Sequence, residues 1–300
     1  MSGDNVPQHY VQQFATNIRL LLQQKRSRLR GSVSENANYR GKQVSPVDQV
    51  GAVEMQTVND RFAPISRSDL PLARRWVVPI DSDLAIMVDN FDKLRLLLDP
   101  TSTYVQAAVA AGNRALDGRI IDAFFADALI GETGNTTESW ASFAGQVVAV
   151  NQGASGPTGL TAAKLKRARR ILRGNEALDE GDGELINIAI TAAQEEQLLH
   201  EAEVISLDYN SQPVLKDGRL DTWLGYKFHH TQRLKTDSDG YRRIPVWMKD
   251  GMHLAIWQDM VISVDRRRDL RGHPWQIYVH LTANATRLEP EKIVEIKCAE

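Results

Sequence analysis

The sequence predicts an α+β protein built around one overlong helix, and three observations carry that class. Val105, Val109, Gly112, Leu116, Ile120, Phe124 and Ala128 step by three or four residues, the period of a helix face. Trp275, Ile277, Val279, Leu281 and Ala283 alternate with Gln276, Tyr278, His280, Thr282 and Asn284, the period of a strand. Residues 33–80 exchange helix formers for Val, Thr, Ser, Pro and Gly, the composition of extended chain and turns.

In chain order, residues 12–30 predict a helix with Phe14, Ile18, Leu21, Leu22 and Leu29 on one face, stopped by Gly31 and Ser32. One narrow apolar stripe forms no core alone, so this arm needs a partner surface. Val53, Met55 and Thr57 then alternate with Ala52, Glu54 and Gln56, and Trp76, Val77 and Val78 lead into Pro79. With Pro64, Ser66, Ser68 and Pro71 between them, these read as a long hairpin with a loose tip, projecting from the body.

Asp99 suits a helix cap and Pro100 the first helical position. The helix is expected to run to about Ile130, some ~30 residues or roughly 45 Å, more than twice the globular mean. Its face is rich in Ala and Gly, so something packs closely along it. Gly131, Gly134 and Asn135 end it. A short strand is expected at Gln146–Val150. A helix follows over Thr161–Arg173, with Leu165, Ala168, Ile171 and Leu172 on one side and six Lys/Arg on the other. Leu185–Ile190 reads as a buried strand, and Ala192–Leu199 as a short helix capped by Thr191. From Leu220 onward the pattern is mostly strand: a Thr236–Gly240 turn, an extended run at Val261, Ser263 and Asp265, and a last strand at Ile293–Lys297.

The chain has 300 residues, 42% hydrophobic and 25% charged, enough for a sizeable core in one large or two to three smaller domains. A net charge of −2 gives no global field for phosphate binding. The single cysteine, Cys298, excludes an intrachain disulfide and fits a reducing cytoplasm. No apolar run of membrane-spanning length occurs, and the first residues lack a signal core, so secretion is not expected.

No phosphate-binding loop and no nucleophile elbow occur. Adjacent strand residues face opposite ways, so His229-His230 is a poor chelate, and no metal or cofactor is expected. Asp89, Asp92 and Asp99 have an acid/base or cation-binding reading beside the simpler one of helix capping. Asp179, Glu180, Asp182 and Glu184 lack calcium-loop spacing and read as a solvated loop. The Lys164–Arg173 face lacks the interleaved aromatics of a base-stacking surface. The basic end of the first helix suits either the helix dipole or contact with nucleic acid.

Three stretches in this order resemble tailed-phage major capsid proteins of the Hong Kong 97 type. Residues 74–125, RRWVVPIDSDLAIMVDNFDKLRLLLDPTSTYVQAAVAAGNRALDGRIIDAF, look like a hairpin exit and spine-helix entry. Residues 218–234, GRLDTWLGYKFHHTQRL, resemble an axial-domain segment, and 288–298, LEPEKIVEIKC, a closing strand. The resemblance implies an N-terminal arm (1–34) and an extended E-loop hairpin (35–80). It also implies a peripheral domain (81–160 with 263–300, spine helix 100–130) and an axial domain (161–262). It further implies hexamers and pentamers of an icosahedral shell around double-stranded DNA, formed in the host bacterial cytoplasm.

The implied partners are other copies of the chain, a separate scaffolding protein, a portal, a decoration protein, and DNA contacted non-specifically. The missing internal-scaffold region of about 100 residues known in some relatives points to the separate scaffold or to processing. Arg61, Arg67, Arg74, Arg75 and Trp76 are the expected inter-subunit contacts, the arginines meeting acidic groups on adjacent subunits. No catalytic residues are expected. The alternatives are an encapsulin shell, an α+β hydrolase using the Asp89–Asp99 cluster, and a basic-armed DNA-binding module.

Overall fold

The structure, a computed structural model, describes residues 23–44, 48–51, 53, 55, 69–70, 72–88, 101–178, 185–201, 215–216 and 219–300. Its elements, in order, are β1 (Ser34–Ala37), β2 (Asp48–Val50), β3 (Leu72–Trp76), β4 (Asp81–Val88), α1 (Thr101–Phe125), β5 (Ala128–Ile130), β6 (Thr136–Glu138), β7 (Val147–Val148), α2 (Ala162–Gly174), β8 (Ile186–Ile190), α3 (Ala192–Leu199), β9 (Leu215–Lys216), β10 (Arg219–Leu220), β11 (Thr222–Trp223), β12 (Tyr226–His230), β13 (Arg242–Trp247), β14 (Met252–Arg266), β15 (Trp275–Arg287) and β16 (Ile293–Cys298). They form two compact units. One holds the described residues within Met1–Arg26, Ser82–Arg114 and Met260–Leu281. The other holds those within Ser27–Asp81, Ala115–Asp259 and Thr282–Glu300.

The core of the larger unit is a six-stranded sheet, ordered β11-β12-β8-β13-β16-β7. β8 lies parallel to β12 and antiparallel to β13. All five of its residues are buried, which is why Ile-Asn-Ile-Ala-Ile is nearly continuous in apolar character rather than alternating. Leu165, Ala168 and Leu172 of α2 are fully buried, and the Tyr226 hydroxyl donates to the Leu165 carbonyl at 2.7 Å. Lys164 corrects the expected basic face. It is fully buried, and its ammonium donates to the carbonyls of Thr158 (2.7 Å) and Lys297 (2.9 Å). Burial lowers its pKa, as it must for a charge removed from water.

The same unit carries the hairpin sheet, ordered β2-β3-β5-β6. Its first strand differs from expectation. Val53 and Met55 lie in no strand, and pairing occurs at Asp48–Val50 instead. The register places Asp48 opposite Arg74 and Val50 opposite Leu72, so an opposite-charge pair and an apolar pair select it.

α1 has 25 residues, about 37 Å at the standard rise. It ends at Phe125, not Ile130. Ala128–Ile130, which continue the helical spacing, form β5 against β3 and β6. The arm also departs from expectation. Residues 23–29 are not helical, and a single 3-10 turn occupies Arg30–Ser32. Asp117, buried in α1, accepts hydrogen bonds from the Ser27 hydroxyl (2.6 Å) and the backbone amides of Arg28 (3.0 Å) and Leu29 (3.3 Å). Amides committed to that carboxylate are not available to a helix ladder. The earlier part of that helix, like Asp99-Pro100, lies outside the described residues.

In the smaller unit, Val88, Ala108, Ile277 and Val279 make the buried cluster, with Tyr104, Val105 and Met260 packed around it. Gly112 earns its place by close approach. A Cβ there would sit 2.8 Å from the Met260 Cε.

Candidate assembly surfaces

The hairpin base is held by charges within the chain. The Arg74 guanidinium pairs with both carboxylate oxygens of Asp48 (2.6 and 2.7 Å), and it lies 5.7 Å from the centre of the Trp76 ring. The Trp76 indole N–H donates to the Gly131 carbonyl at 2.7 Å. Arg75 points the other way. It is 7% exposed and salt-bridged to Glu138. Period-two alternation separates the neighbours: Arg74 is at the surface and Arg75 inside. An open cavity of about 630 Å³ lies here, lined by Asp48, Leu72, Arg74, Glu132 and Glu138 among others.

The hairpin is not apolar-poor at its surface. Met55 is fully exposed and Leu72 is 75% exposed, with Val50, Val53 and Leu70 similarly open. In the smaller unit, Leu84, Met87, Val261, Ile262, Val264 and Leu270 are exposed. Every exposed large apolar side chain among the described residues falls within 50–87 or 261–270, except Leu185. Such concentration marks surfaces that are covered by something.

The sequence matches the phage capsid protein family over residues 6–300. The chain belongs to that family. Its function is that of a major capsid protein of a phage, located in the virion shell as copies of itself. Solved structures similar to it show the Hong Kong 97-like fold. The capsid protein of cyanophage Pam1 is 11% identical, with a TM-score of 0.75, covering 100% of this chain and 99% of that one. That of cyanophage P-SCSP1u is 11% identical at 0.71, covering 100% and 96%. That of Ralstonia phage GP4 is 11% identical at 0.71, covering 99% and 98%. No curated protein matches significantly. The encapsulin and hydrolase alternatives are not favoured by these findings.

Of the capsid protein's expected contact residues, the structure places Arg74 and Trp76 on the hairpin base and Arg75 beneath it. Arg61 and Arg67 lie outside the described residues, as do Asp89, Asp92, Asp99 and the Asp179–Glu184 run. His229 and His230 face different partners. His229 Nε2 meets the Asn187 side-chain oxygen at 3.0 Å and its ring stacks on Trp247, while His230 Nδ1 lies 3.2 Å from Glu195. Burial, first of all, pushes the His229 pKa down to about 4.

Two residues central to the fold were not singled out beforehand. Arg287 is fully buried and caps the C-terminal end of α1. Its guanidinium donates to the carbonyls of Phe124 (3.0 Å), Ala126 (2.8 Å) and Glu138 (3.2 Å), with the Trp140 ring 5.2 Å away. Helix ends leave carbonyls unsatisfied and prefer cations, so this contact explains the stop at Phe125. Burial, aided by nearby Arg75, lowers the Arg287 pKa to about 10. Glu295, 1% exposed, is the second. It accepts from the Trp140 indole (2.5 Å) and from Arg243 (2.6 and 2.9 Å). The available signal for both was a charged residue inside an apolar strand pattern.

A third surface lies on α2. Lys166, Arg169, Arg170 and Arg173 line an open groove of about 580 Å³, closed by Leu224. Leu224 and Gly225 both take positive φ, 51° and 79°, as a two-residue hairpin turn demands. Leucine is costly in that conformation. The Arg169 guanidinium holds the turn by donating to the Leu224 carbonyl at 2.7 Å.

Proposed function

We propose that this capsid protein builds the hexamers and pentamers of an icosahedral shell around double-stranded DNA. It does so through interfaces rather than catalysis. Assembly takes place in the host cytoplasm with a separate scaffolding protein, and the finished shell adds a portal and a decoration protein. The supporting observation is the confinement of exposed apolar side chains to residues 50–87 and 261–270, apart from Leu185. Arm, hairpin and peripheral strands bury these side chains against neighbouring copies. Stable interfaces bury roughly 1,200–2,000 Å², and several per subunit multiply through avidity, so each is weak enough to correct errors. Arg61, Arg67, Arg74 and Trp76 meet acidic or aromatic groups of the next subunit at the hairpin. Arg75 supports them from within, through Glu138.

Electron microscopy of the purified chain, alone and co-expressed with a scaffolding protein, tests this reading. Concentration-dependent rings or closed particles are expected. Small soluble species under every condition would overturn it.

A further inference from the structure

Two features of the chain complement each other: a rigid basic turn, and a cavity that holds an unpaired carboxylate. We propose that the turn between β14 and β15 of one copy seats in the hairpin-base cavity of a neighbouring copy. Leu270 is the apolar anchor, and Arg268 and Arg271 meet Glu132. The proposal rests on the shell reading above and specifies one of its contacts.

The turn is held in shape by its own bonds. The Arg267 guanidinium pairs with both carboxylate oxygens of Asp269 (2.8 and 2.6 Å) and donates to the Gln276 side-chain oxygen at 2.8 Å. The Arg267 amide donates to the Pro274 carbonyl at 2.9 Å, and the His273 amide to the Leu270 carbonyl at 3.1 Å. Gly272 and His273 turn the chain through positive φ, 79° and 44°. Leu270, 38% exposed, stands between Arg268 and Arg271 in sequence. Both arginines are exposed, and neither forms a hydrogen bond or salt bridge among the described residues. A turn fixed before binding loses less freedom on docking.

The cavity offers the opposite set. Its volume is about 630 Å³, and Leu72 and Ile130 supply apolar wall. Asp48 is paired with Arg74, and Glu138 with Arg75. Glu132 is the carboxylate left over. It is exposed and lies within the field of Arg74, but forms no hydrogen bond or salt bridge among the described residues. An incoming arginine meets a carboxylate that nothing in the cavity bonds, while Leu270 covers Leu72, itself 75% exposed. Turn and cavity are different patches, so the contact is head-to-tail, the kind that closes into rings. Nucleic-acid phosphates also suit Arg268 and Arg271, but leave Leu270, Leu72 and Glu132 without a role.

Two charge-reversed variants test the proposal. The first carries Glu132→Arg, and the second Arg268→Glu with Arg271→Glu. Native mass spectrometry counts rings under conditions where the wild-type chain forms them. Each variant alone is expected to lose rings at least ~10-fold, the factor set by about 1.4 kcal/mol per contact. An equimolar mixture is expected to recover rings with an even number of subunits, because every turn then meets a cavity of opposite charge. Recovery when all three changes share one chain, but not on mixing, would mean the contact lies within a subunit and overturns the proposal. So would recovery in neither case, or unchanged rings in either variant. Unchanged rings with less packaged nucleic acid in the second variant would assign the turn to phosphates instead. Two milder changes, Glu132→Gln and Leu270→Ser, guard against misfolding. With an unchanged unfolding midpoint, Glu132→Gln must still reduce rings severalfold, and so must Leu270→Ser; an unchanged yield from either overturns the proposal. A wild-type chain that forms no rings under any condition overturns the shell reading, and this contact with it.

Discussion

The six-stranded sheet and the hairpin are both β-structure in the larger unit, yet they stand at opposite ends of self-sufficiency. β8 is buried along its whole length, and β13 beside it and β16 beyond β13 bury Ile244, Val246, Ile293, Val294 and Ile296 to 2% exposure or less. β2 is exposed at two of its three positions and β3 leaves Leu72 open to solvent. At ~25 cal/mol per Å² of apolar surface removed from water, the first region stabilises itself and the second contributes little until a partner covers it. A shell subunit needs both: a body that folds before assembly, and surfaces whose burial is deferred to it.

The largest expected effect lies in the body. Arg287→Met keeps volume but leaves the carbonyls of Phe124, Ala126 and Glu138 without their donor. Each buried unsatisfied group costs ~1–3 kcal/mol, so urea denaturation is expected to show a loss of at least ~3 kcal/mol. Arg287→Lys, with its single ammonium, is expected to recover less than half. A loss below ~1 kcal/mol would break the comparison, because the body would then not depend on its internal ties.

The body was also the more legible region. β8 and β16 follow from apolar runs, and α2 and α3 follow from spacing with Thr161 and Thr191 as caps. These are local rules, and the buried sheet does not contradict them. The errors fell where a distant side chain decides. Arg287 stops α1, 162 residues downstream of Phe125. Asp117 unwinds the arm root around Arg28. Lys164 turns inward because two carbonyls await it, which its position on a basic face conceals. The hairpin was less legible: its first strand pairs at Asp48–Val50, where Asp48 meets Arg74, rather than along the alternation around Val53.

A middle-sized effect should appear with acid. His253 is 6% exposed, with Nδ1 3.0 Å from the Ser34 hydroxyl oxygen and Nε2 3.0 Å from that of Tyr39. The Ser34 hydroxyl already donates to the Met252 carbonyl, so Nδ1 carries the proton and Nε2 accepts from Tyr39. Burial lowers the His253 pKa to about 4. A folded value below the unfolded ~6.5 means the stabilisation is complete above that pH. It is lost as pH falls toward 4, at up to ~1.4 kcal/mol per pH unit. His229 behaves alike, with a pKa of about 4. The unfolding midpoint is expected to hold steady above pH 7 and decline from about 6.5 to 4. His253→Gln should flatten part of that decline, and a variant with the wild-type slope would remove His253 from the account.

The smallest effect on stability, and the sharpest on assembly, is expected at the hairpin. The Arg74–Asp48 pair is exposed, 39% and 60% at the side chains, and such pairs contribute ~0–1 kcal/mol. Leu72→Ser changes a side chain already in water, expected to stay within about 0.5 kcal/mol. Arg74→Glu with Leu72→Ser should therefore unfold like the wild type, yet form rings at least ~10-fold less readily, a change of about 1.4 kcal/mol per contact. Arg75→Gln makes the contrast within one dipeptide. It strips the buried partner from Glu138, so denaturation should register it before assembly does. If Arg74 and Arg75 variants lost stability and rings in parallel, the hairpin would be part of the body, and the division between the two regions would fail.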